Sequence, residues 1–283
     1  MLYYNAMEAI RFEKVNFQYS EESGAVLRNV SFSVDAGEYV CMLGRNGSGK
    51  STVARLINGL LLPASGKVTV FGMDTADKAQ TFNVRKRVGI VFQNPDNQQV
   101  AAIVEDDVAF GPENLGLSRE EIGKRIDFAL DGANMRKYRY EMADKLSGGQ
   151  KQRVAVAGML AMRPDVLILD ESTSMLDARG RKEVLGVVKK LNDEGMTVIS
   201  VTHYMDEAAD ADRIIVLSDG EIVEDGLPDE IFGNAEDLRR YGLELPRAAY
   251  IAENLRKRGV PLKSGILTED VLSEELCKSL LKI

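Results

Sequence analysis

Five apolar runs punctuate the chain: YVCML (39–43), VGIVF (88–92), VLIL (166–169), TVISVT (197–202) and IIVL (214–217). Each is rich in β-branched residues and apolar on both alternations, the mark of strands buried on both faces of a mostly parallel sheet. Helical spacing fills the intervals, as in KSTVARLINGLL, GGQKQRVAVAGMLAM and ARGRKEVLGVVKKLNDEG, so the pattern predicts α/β layering. Ahead of the sheet core, IRFEKVNFQY alternates like a strand, and Asp219-Gly220 between apolar runs predicts a hairpin. Residues 94–163 carry few strand signals beyond their start and read as an inserted helical subdomain. From about Gly233 the texture changes to short amphipathic helices, LPRAAYIAENLRKRG and TEDVLSEELCKSLLK, separated by Pro and Gly. There Leu272, Leu276 and Leu280 recur on one helix face. The expected division is a main domain at 1–233 and a small C-terminal helical extension at 234–283.

Composition narrows the class. A length of 283 residues suits one large domain with an appendage, and 45% hydrophobic residues supply its core. The net charge of −8 argues against non-specific nucleic-acid binding, which needs clustered Lys and Arg. Cys41, inside an apolar run, and distant Cys277 make no disulfide framework, as expected of a reducing cytosol. No apolar run reaches the roughly 18–20 residues of a membrane helix. MLYYNAMEAIRFEKV lacks the apolar core of a signal peptide. The expectation is a soluble protein that can still dock on a membrane protein.

The first chemical motif is GRNGSGKST (44–52), which fits G-x-x-x-x-G-K-[ST] between a strand and a helix. Gly44, Gly47 and Gly49 let the backbone turn tightly and aim N–H groups inward, with Asn46, Ser48 and Thr52 completing the cradle. The helix N-terminus favours an anion. In this arrangement Lys50 reaches the β- and γ-phosphates of ATP and Ser51 ligates Mg²⁺.

VLILDE (166–171) is an apolar strand ending in two carboxylates. Asp170 is placed to hold Mg²⁺, and Glu171 to take a proton from the water attacking the γ-phosphate. A solvated Asp-Glu pair at a strand end reads the same way by itself; the pairing with GKST favours catalysis. The lone histidine, His203, follows TVISVT at a strand's carboxyl end, where ligands of open α/β sheets collect. Its imidazole suits a γ-phosphate oxygen, although a solitary His is more often a surface or core residue. Gln93 follows VGIVF in the turn-rich QNPDNQ and suits either the Mg²⁺ shell or the attacking water; ordinary loop chemistry is its other reading. Tyr19 offers a face for purine stacking or is a plain strand aromatic.

LSGGQKQR (146–153) is too polar for a core strand and lies far from the other glycine-rich loop. Taken in order, GRNGSGKST, Gln93, LSGGQKQR, VLILDE, SMLD (174–177) and His203 resemble the ATP-binding subunit of ABC transporters over about residues 8–230. The resemblance implies a P-loop NTPase of RecA-like core with an N-terminal antiparallel β subdomain. It also implies that LSGGQ caps the γ-phosphate of ATP held by the other subunit of a head-to-tail dimer. In that role Ser147 supplies a hydroxyl, Gly148 and Gly149 allow close approach, Gln150 opens the helix, and Asp177 lies at the seam. FQNPDNQ (92–98), VEDDVAFGPENLG (104–116) and LILDESTSMLD (167–177) further resemble the first ATPase of energy-coupling factor importers, which take up vitamins and transition metals.

That resemblance implies several partners: a paralogous ATPase or a second copy, a transmembrane coupling protein, and through it a substrate-binding membrane subunit. The protein is then peripheral on the cytoplasmic face of the cell membrane. An ATPase of a dedicated cobalt or nickel importer shares most of these strings. A chromosome or DNA-repair ATPase with the same head is disfavoured, because no sustained heptads separate Lys50 from Ser147. Glu105, Asp106 and Asp107, just past QNPDNQ, are expected to help form the groove for the membrane partner and to receive its arginines, the alternative being a solvated charge run.

Overall fold

The computed structural model describes residues 7–22 and 24–280. Met1–Ala6, on which the reading of the N-terminus partly rests, and the Leu280 side chain of the leucine row lie outside the described residues.

The chain opens with β1 (Glu8–Phe17) and β2 (Leu27–Asp35), paired antiparallel. β3 (Tyr39–Leu43) runs into the glycine loop and α1 (Lys50–Ile57). β4 (Ser65–Val70) and β5 (Met73–Asp74) then return to β1, completing an antiparallel sheet ordered β2-β1-β4-β5. The antiparallel subdomain is therefore N-terminal only in part. Its second half follows the glycine loop, in a segment whose single short alternation, Val68 and Val70, gives little strand signal.

α2 (Thr81–Arg87) leads to β6 (Val88–Val91). The inserted helices are α3 (Val104–Asn114), α4 (Arg119–Gly132) and α5 (Gly148–Met162), with one isolated bridge, Ile103 to Met142, among them. The second sheet is completed by β7 (Val166–Asp170), α6 (Ala178–Asp193), β8 (Thr197–Val201), the short α7 (Met205–Ala208), β9 (Arg213–Ser218) and β10 (Glu221–Gly226). Its six strands are ordered β10-β9-β3-β8-β7-β6. All pair parallel except the β9–β10 hairpin, whose turn residues Asp219 and Gly220 both have positive φ, as a tight hairpin turn requires. β3, β6, β7 and β8 are buried at every residue, which is why both alternations are apolar.

Two cores follow from two faces. One packs the antiparallel sheet and α1 on one side of the parallel sheet; the other packs α5, α6 and the inserted helices on the opposite side. α8 (Pro228–Gly233) and α9 (Ala235–Arg240) belong to the second core through Ile231, Phe232 and Leu238, and Leu243 joins them. α10 (Arg247–Lys257) and α11 (Glu269–Leu280) form a separate small cluster around Ala248, Ala252, Leu262, Ile266 and Leu272. Among the described residues no helix is long and apolar enough to cross a membrane.

Candidate active site

Parallel strands bring their carboxyl ends to one edge. Adjacent β3, β8, β7 and β6 deliver the glycine loop, His203, Asp170 with Glu171, and Gln93 to that edge. The loop needs its glycines for two distinct reasons. A Cβ on Gly44 would sit 2.2 Å from the Leu217 carbonyl oxygen of β9, so the loop lies directly on the sheet. Gly49 is left-handed, at φ 107°, as the residue that starts α1. Between them Ser48 is buried, and its Oγ has no hydrogen-bond partner among the described residues.

Lys50 folds back so that Nζ donates to the carbonyls of Gly44 (2.8 Å) and Arg45 (2.9 Å). Burial lowers its pKa, and the Glu171 and Asp170 carboxylates oppose that shift. Asp170 shifts the other way. Burial raises its pKa, while the Ser51 hydroxyl, donating to Oδ1 at 2.7 Å, holds it down. An unpartnered serine oxygen and an ammonium folded over a glycine loop at a helix start fit a polyphosphate. The Ser51–Asp170 oxygen pair fits Mg²⁺, a hard cation that takes few protein ligands and draws the rest from phosphate and water. No group of three or more His, Cys, Asp or Glu side chains gathers as a metal site among the described residues.

Glu171 has a left-handed backbone, φ 50°, in which a non-glycine residue is strained. Its N–H donates to the Val201 carbonyl at 2.9 Å, pinning it between β7 and β8. Two other predicted residues converge on its Oε2. Gln93 donates from Nε2 at 2.9 Å, and His203 Nδ1 lies 3.8 Å away. The Gln93 amide nitrogen is thus engaged by Glu171, not by the Ser51–Asp170 pair. Tyr19 is 56% exposed beside the loop, its ring edge-on to Phe17, and its hydroxyl shares a 3.0 Å hydrogen bond with Thr52.

A cleft of about 1170 Å³ opens beside this set, without Lys50, Ser51, Thr52, Asp170 or Tyr19 in its lining. Among the described residues lining it are Gly44, Asn46, Gln93, Glu171 and His203, but not Ser147, Gly148, Gly149, Gln150 or Asp177. Ser147 instead caps α5. Its hydroxyl accepts from Gln150 N–H at 3.4 Å, and the Gln150 side chain accepts from Ser147 N–H at 2.8 Å. Ser147 and Gly148 stay exposed at that helix start. Asp177 likewise caps α6, accepting from Gly180 N–H at 2.8 Å.

Sequence reasoning missed the far wall of the cleft. Arg239, Leu243, Arg247 and Tyr250 of the C-terminal region line it. Gly242 lies against Arg45 so closely that a Cβ would meet Arg45 Cδ at 2.7 Å, and Arg247 N–H donates to Asp206 Oδ1 at 2.8 Å. No periodicity in residues 234–250 announces where they return.

The expectation for the acidic run is narrowed. Glu105 is taken by Arg139, with 2.5 Å between Nη2 and Oε1. Asp107 Oδ1 accepts the backbone N–H groups of Val100 (2.7 Å) and Ala101 (3.0 Å), so it caps its own loop. Asp106 alone of the three is exposed.

Comparison with known proteins places the chain in a family. The ABC transporter family profile matches residues 27–174. The energy-coupling factor transporter ATP-binding protein EcfA1 of Caldanaerobacter subterraneus subsp. tengcongensis is 50% identical over 273 residues, 95% of this chain and 99% of that one. EcfA1 of Symbiobacterium thermophilum is 53% identical over 274 residues, 94% of this chain and 96% of its own. Among solved structures, CbiO1 of Clostridium perfringens, part of the ABC transporter complex CbiONQ, superposes with a TM-score of 0.74 at 36% identity, covering 87% of this chain and 99% of that one. The dimeric cassette MJ0796 bound to ADP and phosphate gives 0.71 at 32% identity, covering 77% and 98%. The chain belongs to the ABC transporter ATP-binding family and, within it, to the energy-coupling factor transporter ATP-binding proteins.

Proposed function

We propose that this ABC ATPase closes head to tail with a paralogous subunit or a second copy, sandwiches Mg-ATP at the seam, and so drives an importer of vitamins or transition metals. One observation carries the reading. The cleft lined by Gly44, Asn46, Gln93, Glu171 and His203 has no wall from Ser147–Gln150, while Ser147 and Gly148 stand exposed at the start of a helix. A helix N-terminus with a hydroxyl and two glycines suits a γ-phosphate, and only another subunit can bring one to it. The ADP- and phosphate-bound dimer among the structural neighbours supports the same arrangement.

Within the site, Lys50, the Ser48 hydroxyl and the amides of Gly44, Asn46, Gly47 and Gly49 hold the phosphates, and Tyr19 stacks on the purine. Ser51, Asp170 and the Gln93 side-chain oxygen would hold Mg²⁺, which screens phosphate charge when bound. Glu171 takes the proton of the attacking water, with Gln93 and His203 fixing its carboxylate and the water between them. Asp177 meets the partner at the seam.

The subunit works at the cytoplasmic face of the membrane through a coupling protein. Its docking site is a cleft of about 520 Å³ between α2, α3 and α5, where Phe82, Val100 and Phe110 expose apolar surface beside Arg85 and Lys86. In this division residues 1–233 form the ATP-binding domain, 94–163 its helical subdomain and 234–283 the extension. A dedicated cobalt or nickel importer is the second reading. The CbiO1 likeness favours it, but at 36% identity against 50–53% for EcfA1.

The test is Glu171→Gln, in which the amide keeps size but takes no proton. Turnover is expected to vanish while ATP stays bound and nucleotide-dependent dimers persist in size-exclusion chromatography. An unaltered ATPase rate would remove Glu171 as the base.

A further inference from the structure

Glu171 and His203 sit on separate segments, one after β7 and one after β8, and their side chains are 3.8 Å apart without a hydrogen bond between them. A residue outside the cleft ties these segments together. Glu207, on α7, is buried, and its Oε1 accepts a 2.7 Å hydrogen bond from the Thr173 hydroxyl. Thr173 is two residues past Glu171, in the stretch that runs to Asp177. The same Oε1 lies 3.4 Å from Nε of Arg181, in the first turn of the helix that Asp177 caps. The Arg181 guanidinium covers the Tyr204 ring at 3.5 Å from its centroid, and the Tyr204 ring packs on His203 at 4.3 Å. The contacts close a circuit: Glu171, Thr173, Glu207, Arg181, Tyr204, His203 and back to Glu171.

Stability is a poor reason for a carboxylate here. Burying a charge is costly even when paired, and apolar residues of the same volume often serve the fold as well or better. The cost is visible, since Glu207 Oε2 and Arg181 Nε are buried without hydrogen-bond partners among the described residues.

We propose that Glu207 is a positioning residue for ATP hydrolysis. It fixes the Glu171 segment, the loop to Asp177 and the His203 segment as one unit, so that base and histidine reach the γ-phosphate in register. Movement of the loop at the subunit seam is thereby passed to both. This rests on the roles given to Glu171 and His203 above.

The test uses the assembled ATPase pair and compares Glu207→Ala, Glu207→Gln, Thr173→Val and the double Glu207→Ala/Thr173→Val, with Glu171→Gln as reference. Each is measured for kcat, KM and equilibrium binding of a fluorescent ATP analogue. Glu207→Ala is expected to lower kcat about 10- to 100-fold, the scale of a small misplacement at a reacting centre, with KM and binding unchanged. Thr173→Val lowers kcat less, and the double variant falls no further than Glu207→Ala, because both remove one shared contact. Glu207→Gln, which keeps the acceptor for Thr173, recovers part of the rate. A purely structural role predicts instead a lower melting temperature with wild-type kcat per folded molecule. Wild-type kcat, additive losses in the double variant, or an equal loss of nucleotide binding overturns the proposal. If Glu207→Ala does not fold, Glu207→Gln and Thr173→Val decide by the same split. Normal turnover in Glu171→Gln overturns the assignment of the base, whereas a dead Glu171→Gln beside a normal Glu207→Ala overturns only the present inference.

Discussion

At the scale of single residues, burial sets the protonation of the groups behind the cleft. Burial raises the pKa of Glu207 from 4.5, against the pull of Thr173, Thr202, Arg181 and His203, while Tyr39 and Cys41 of β3 face it as neutral groups whose own pKa values are raised in turn. A carboxyl with a raised folded pKa adds stability that is full below its unfolded value and is lost as pH rises through the folded value. Glu207→Gln is neutral throughout and lacks that slope. Relative to the variant, the wild type should therefore lose stability as pH rises above the ordinary glutamate range, read from urea denaturation at each pH with matched m-values. A wild-type advantage that grows with pH would contradict the burial argument. The groups gathered at the sheet edge were mostly legible in the sequence, because the glycine loop, the Asp170-Glu171 pair and His203 each end or follow an apolar strand. Glu207 was not. In HYMDEA it reads as one more acid on a short helix, and only the fold brings Thr173 and Arg181 to it.

At the scale of elements, α5 is held at its start by two kinds of contact. The capping box of Ser147 and Gln150 satisfies backbone donors, and the Gln150 amide nitrogen also donates to the Tyr138 hydroxyl at 2.7 Å. Just inside, Lys151 reaches Asp96 at 2.7 Å and Gln152 donates to the Phe92 carbonyl at 3.0 Å, tying α5 to the segment around Gln93. Gln150→Ala removes half of the box and the Tyr138 bond, and should cost about 1 kcal/mol in urea denaturation. An unchanged midpoint would mean the box contributes nothing. The strands with both faces buried were readable from their unbroken apolar runs. β2 and β4 were harder, because each keeps one face exposed, and β4 joins its sheet through β1, on the far side of the glycine loop in sequence. β4 also has two of its six positions buried, too few to establish a period of two.

At the scale of the whole molecule, the C-terminal region divides by packing. Leu238 and Leu243 are buried in the main core, and Gly242 and Arg247 touch the glycine loop and the segment after His203. α10 and α11 enclose mostly their own cluster. Amphipathic spacing in the sequence announces helices there but not their target, because an apolar stripe fits any apolar face. Two truncations separate the parts. Ending the chain after Leu245 removes α10, α11, the Arg247–Asp206 bond and Leu267, which packs on the main core, and should cost a few kcal/mol (about 1 for the bond and up to about 2 for the leucine) beyond the lost cluster itself. Ending it after Gly233 also strips Leu238 and Leu243 from the main core, at roughly 1.5–3 kcal/mol each, and frees Arg45 beside the phosphate loop. The longer truncation should melt well below the shorter one and bind ATP more weakly, read by thermal denaturation and nucleotide titration of both. Equal melting temperatures and equal ATP affinity would show that nothing before Leu245 in this region supports the cleft.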